Sequence, residues 1–125
     1  MKTKTKKYVD GFVIPIKKKD IAAYRKMAEW GAKTWKKYGA LEYFECVGDD
    51  LDVQKGAGQG FVKLAKLKPD ETVVFSWIVY KSKAHRDQVN KKVMSDPSMN
   101  SFDTSTMPFD MKRFATGGFK VIVEA

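Results

Sequence analysis

An α+β fold, with two helices laid on one side of an antiparallel sheet, is predicted by three features of this sequence. Four strand-like runs and two helix-like stripes occur in the order β-α-β-β-α-β. The third run, Glu71-Thr72-Val73-Val74-Phe75-Ser76-Trp77-Ile78-Val79-Tyr80, is a strand with large or β-branched apolar residues on both sides. At 125 residues the chain makes one domain and removes about two thirds of its unfolded surface from water. That order is the split βαβ arrangement of a ferredoxin-like domain, whose first and third strands are central in a four-stranded antiparallel sheet.

Each element has its own signal. Tyr8 to Ile16 reads as the first strand, with Pro15 near its end. Asp20 is the expected N-cap of a helix running to about Tyr38 and stopped by Gly39. Ile21, Tyr24, Ala28, Trp35 and Tyr38 give that helix an apolar stripe. Leu41 to Val47 is the second strand, ended by Gly48-Asp49-Asp50. After a glycine-rich connection, Phe61 to Leu67 has the spacing of a short helix, and Pro69-Asp70 turns the chain into the third strand, Thr72 to Tyr80. Ser82 caps a second helix that carries Val89 and Val93 and ends around Ser95, before Pro97. Gly117-Gly118 is expected to open a last strand over Phe119 to Val123.

The two-faced third strand has a consequence for assembly. Val73, Phe75, Trp77 and Val79 share one face, and Val74, Ile78 and Tyr80 the other. Two helices cover one face only. The second cover is expected from another copy of the chain, the two sheets closing face to face into a barrel-like homodimer. Such interfaces bury about 1,600 Å² or more in total.

Charge and composition bound the function. The net charge is +9, but residues 1–19 hold seven lysines (Lys2, Lys4, Lys6, Lys7, Lys17, Lys18, Lys19) against Asp10 alone. Residues 1–7 read as a flexible basic tail and 8–125 as the single domain, whose body is only mildly basic. The RNP-type sequence of RNA-recognition modules is missing, so nucleic-acid contact is expected only as non-specific, salt-sensitive binding through the lysine tail. No apolar run approaches the roughly 20 residues that span a bilayer, and no signal-peptide pattern is visible, so no membrane partner is expected. One cysteine rules out an intrachain disulfide and multi-thiolate zinc sites. A reducing cytoplasm is the expected location. No metal or haem motif appears, and no cofactor is expected.

Several residues are candidates for chemistry. Asp10 sits mid-strand in a central strand, where a carboxylate is costly unless it is bonded or paired. It is either a general base or ligand anchor in a cavity, or a structural carboxylate paired with Arg113 or a lysine or reaching water. Glu45, in the second strand, is a similar but weaker candidate. His85, the only histidine, lies in register with Val89 and Val93, and a catalytic pair with Cys46 is conceivable; a buried inert cysteine and a border histidine is the preferred reading. Gly56, Gly58 and Gly60 lack the strand and long helix that a phosphate cradle needs, so a flexible connection is expected. From Asp96 to Gly117 about twenty residues show no regular pattern, which marks a lid over a binding site or an arm that reinforces the dimer. This stretch carries Asp110, Lys112 and Arg113 beside Met107, Phe109, Met111 and Phe114.

A family resemblance rests on words spread over residues 8 to 119. They are Tyr8-Val9-Asp10-Gly11-Phe12-Val13, Glu45-Cys46 with Gly48-Asp49-Asp50, and Glu71 to Trp77. Lys92-Val93-Met94, Asp96-Pro97, Met99, Met107-Pro108-Phe109-Asp110, Lys112-Arg113 and Gly117-Gly118-Phe119 follow. Together they resemble the YbaA-like family of domain-of-unknown-function proteins, in the dimeric α+β barrel superfamily. The resemblance implies the fold and the dimer but no established activity. Members of the broader superfamily include cofactor-independent oxygenases, isomerases and haem-handling enzymes, a likeness of fold alone.

These readings lead to a homodimeric small-molecule-binding protein or cofactor-independent enzyme. Its pocket is expected between sheet and helices or inside the barrel, lined by Phe12 and Trp77 and anchored by Asp10, Asp110 and Arg113. The alternatives are a structural or interaction dimer without catalysis, and a weak non-specific binder of RNA or anionic surfaces.

Overall fold

The computed structural model describes residues 4–102 and 104–125. Strand β1 (Tyr8–Lys17) leads through a 3₁₀ turn, Lys18–Asp20, into helix α1 (Ile21–Lys37). Strand β2 (Glu42–Val47), the single-turn helix α2 (Phe61–Leu64), strand β3 (Glu71–Tyr80) and helix α3 (Lys83–Met94) follow. Two 3₁₀ turns, Pro97–Ser101 and Thr104–Thr106, punctuate the long connection to strand β4 (Ala115–Lys120). The sheet is antiparallel in the order β2-β3-β1-β4, the ferredoxin-like arrangement that the element order predicts.

Strand parity fixes what each face presents. Asp10 lies opposite Ile78, Phe12 opposite Ser76 and Ile14 opposite Val74, so these side chains point together toward the helices. Ile14, Ile16 and Val74 pack there on Tyr24 and Ala28 of α1, and Ile78 and Tyr80 pack on Val89 and Val93 of α3. Full burial of such side chains contributes roughly 1.5–3 kcal/mol each. The opposite parity places Phe75 and Trp77 on the other face, as expected, with Phe44 opposite Trp77.

Three local expectations need correction. Asp20 makes no side-chain capping bond, because the chain enters α1 already wound in the 3₁₀ turn. The last strand begins at Ala115 rather than Phe119, and Gly117 and Gly118 lie inside it. Aromatic rings fill the space above the strand glycines: the Phe119 ring covers Gly11, and the Tyr8 ring lies where a Gly118 side chain would start. The expected basic tail is not free along its whole length. Lys2 and the rest of residues 1–3 lie outside the described residues, but Thr5 and Lys7 both bond Glu124 near the C-terminus, Lys7 at 2.7 Å. Gly39, by contrast, stops α1 as its sequence position suggests, with φ +112°.

Candidate functional site

A cavity of about 520 Å³ lies between the helix-side sheet face, the two long helices and the segment that follows α3. Its walls are mostly aromatic and methionine side chains, and five of the six methionines of the chain (Met27, Met94, Met99, Met107 and Met111) line it. Methionine is flexible and polarizable, so this wall adapts to ligand shape.

The segment after α3 forms one wall and is tied down at both ends. At its start, Asp96 accepts hydrogen bonds from the Ser98 backbone N–H and hydroxyl, from the Tyr38 hydroxyl at 2.6 Å and from Lys37. These donors, those of Ser98 first, hold the Asp96 carboxyl well below the usual range. Trp30 of α1 donates its indole N–H to Ser98 at 2.7 Å, and its ring lies 4.4 Å from that of Phe102. Phe109 packs edge-on against Tyr24, and Phe114 packs against Phe12. At the far end Arg113 bonds Glu71 at 2.6 Å and the carbonyls of Ala65 and Lys66. The Arg113 hydrogen bond is the main cause that lowers the Glu71 pKa.

Two polar stations interrupt the apolar wall. In the first, Asp10, only 6% exposed, accepts from Arg86 of α3 at 2.8 Å and weakly from Asn90 at 3.4 Å. The Asn90 carbonyl oxygen in turn accepts from the indole of Trp35 at 3.0 Å and the hydroxyl of Tyr80 at 3.2 Å. Arg86 also stacks on the Tyr8 ring and bonds Asp87. In the second station both Glu45 oxygens accept phenol hydrogens, from Tyr24 and from Tyr43, each at 2.7 Å. Burial first, then Glu45, pushes both phenols above their ordinary value, so they stay protonated as donors. Gly31 in the middle of α1 makes this geometry possible, because a Cβ there would collide with the Tyr43 hydroxyl.

Of the candidate residues, Asp10, Glu45 and Phe12 line the cavity together. Four others lie elsewhere. Arg113 pairs with Glu71, not Asp10: Glu71 stands opposite Lys17 and Asp10 opposite Ile78, seven residues apart on β3, or about 23 Å. Trp77 points to the other sheet face, where its ring stacks on Phe44 at 5.1 Å. Asp110 is exposed and closes a turn with Lys112. His85 is outside the cavity wall: its Nδ1 accepts from the Lys81 backbone N–H, and burial lowers its pKa.

Cys46, expected buried, is exposed. It lies opposite Phe75 on the face away from the helices, which removes any pairing with His85. Gly56 and Gly58 sit at positive φ in an open turn away from any cavity wall. Among the described residues no three His, Cys, Asp or Glu side chains converge as metal ligands.

Of the residues that complete the stations, Arg86, Asn90 and Tyr43 were not singled out from sequence, and Tyr24 only as part of the apolar stripe of α1. A signal was present for two of them. Arg86 and Asn90 fall at helical spacing with the buried Val89 and Val93, which places two polar groups inside an apolar stripe.

These features define the class: a ferredoxin-like α+β domain with an apolar cavity, open on one side, and two separated carboxylate stations. The chain belongs to the DUF1428 family, described as proteins of unknown function, which it matches over residues 7–111. It is 49% identical over 120 residues to the uncharacterized protein YbaA of Escherichia coli strain K12, a match that covers 94% of this chain and 98% of that one. The Shigella flexneri YbaA is similar to the same degree, 49% over 120 residues. A solved dimeric ferredoxin-like protein from an uncultured marine organism aligns with TM-score 0.62 at 16% identity, covering 95% of this chain and 98% of its own. That likeness is one of fold. Among the described residues no helix is long and apolar enough to cross a membrane.

Proposed function

We propose that this protein binds a small, largely apolar molecule in the cavity between sheet and helices. The observation that carries the reading is the convergence of two buried or half-buried carboxylate stations, Asp10 with Arg86 and Glu45 with two tyrosines, on one apolar space of about 520 Å³. A volume of that size and a few convergent polar groups are what a specific small-molecule site requires. Native mass spectrometry of protein purified without denaturation tests it, with a bound species below about 500 Da expected. Failure to find one there, together with no thermal shift across a metabolite panel, would defeat the reading. Asp10→Asn should weaken that binding.

A second reading concerns assembly and has its own support. The sheet face away from the helices carries Phe44, Phe75 and Phe119, which are 48%, 46% and 60% exposed in the isolated chain, in a row with Trp77. A row of large aromatics left this open is characteristic of an interface. The proposed partner is a second copy, joined face to face through the sheets. Light scattering that reports a stable 14.2 kDa species at micromolar concentration would exclude it.

A further inference from the structure

The charge of the cavity runs against that of the chain. The chain holds 24 basic side chains against 15 acidic ones, a net +9. Yet Arg86 is the only basic side chain among the described residues that line the cavity, facing the carboxylates of Asp10 and Glu45. Arg86 is committed to Asp10 at 2.8 Å. The formal remainder is one negative charge, on Glu45. Its partners, Tyr24 and Tyr43, are neutral donors, and they aim the carboxylate without cancelling its charge. A carboxylate offers about four acceptor sites, so both oxygens keep capacity for a further donor. Aromatic faces lie close by: Trp35 packs 6.3 Å from Tyr43 and 6.0 Å from Trp30, and such faces attract cations.

We propose that the cavity selects an arylalkylamine, with the ammonium group on Glu45 and the aromatic body among the methionine and tryptophan side chains. This rests on the small-molecule reading above and names its ligand class. A half-buried carboxylate gains most from a donor that carries the opposite charge. A carboxylate ligand would meet an unbalanced like charge, and a neutral arene would leave Glu45 without its counter-ion.

Isothermal titration with three probes that share a 3-alkylindole body tests the inference: tryptamine, 3-ethylindole and indole-3-propionate. Tryptamine is expected to bind at least about tenfold more tightly than 3-ethylindole, and indole-3-propionate most weakly. Glu45→Gln should bring tryptamine to the level of 3-ethylindole while leaving 3-ethylindole unchanged. Should Glu45→Gln fail to fold by circular dichroism, the probe series on the unaltered protein decides. Equal or tighter binding of the neutral or anionic probe overturns the amine inference and leaves the small-molecule reading standing. No heat from any probe up to millimolar concentration overturns the amine inference, and a blank in native mass spectrometry and the metabolite panel separately overturns the small-molecule reading.

Discussion

The two faces of one sheet differ in how they are completed. On the helix side of β3, Thr72, Ser76 and Tyr80 alternate with nothing but buried neighbours, and all three are themselves buried. Among the described residues no buried side-chain polar atom lacks a hydrogen-bond partner. On the other face Phe44 stacks on Trp77 and Phe75 packs tilted against it, and Phe44 and Phe75 are about half open to solvent. Polar groups demand completion within the chain, since an unpaired buried donor or acceptor costs about 1–3 kcal/mol. Apolar surface carries no such local demand and can wait for a second molecule.

The helix side should break most severely. Arg86→Ala leaves Asp10 buried without its cation, and a loss of about 3–5 kcal/mol is expected on urea denaturation. The double variant Asp10→Asn with Arg86→Met removes both charges and should recover much of that loss. If Arg86→Ala were neutral, Asp10 would have to reach water, contrary to its burial.

On the open face the expected effect is on assembly. Phe75→Asp or Trp77→Asp should dissociate the proposed dimer in sedimentation or light scattering. For Phe75→Asp the monomer should keep its far-UV circular dichroism, because that side chain is already 46% exposed. Unfolding of the Phe75 variant with no monomer stage would mean that the open face is not independent of the core.

Gly31→Ala sharpens the comparison within the helix side. Alanine should favour α1 by about 1 kcal/mol over glycine, but its Cβ displaces the Tyr43 hydroxyl from Glu45. Overpacking of this kind costs about 1–3 kcal/mol, so a net loss is expected. A gain in melting temperature would show that Tyr43 moves away freely.

The smallest effect is on pH dependence. Asp96 and Glu71 have pKa values depressed in the folded chain below their ordinary 3.8 and 4.5. The unfolded chain therefore takes up protons first on acidification, and stability present above about pH 4.5 is lost as pH falls further. His85, also depressed from 6.5, adds a loss that begins as pH drops below that value. Asp96→Asn should flatten the acidic limb of a melting-temperature profile, and His85→Gln the limb that begins below pH 6.5.

Much of this molecule was legible in the residues themselves. Alternation of side chains along β3 sorted Phe75 and Trp77 from Val74 and Ile78, because a strand has a period of two whatever surrounds it. Element order dictated the sheet order for the same kind of reason: short connections and handed crossovers leave few topologies. Asp10 could be recognised as a carboxylate in need of a partner from its position alone. Which partner it takes was decided only in three dimensions. Arg86 lies 76 positions away, brought over β1 by the packing of α3, while Arg113, chosen for its place in the irregular segment, is drawn to Glu71 at the other end of the sheet. The Glu45 station likewise joins two elements, α1 and β2, through Gly31, whose missing side chain matters only where Tyr43 approaches it. Local patterning is written along the chain because each residue feels its neighbours' geometry; the pairing of charges and the emptiness of a cavity depend on distances between elements, which exist only once the core has packed.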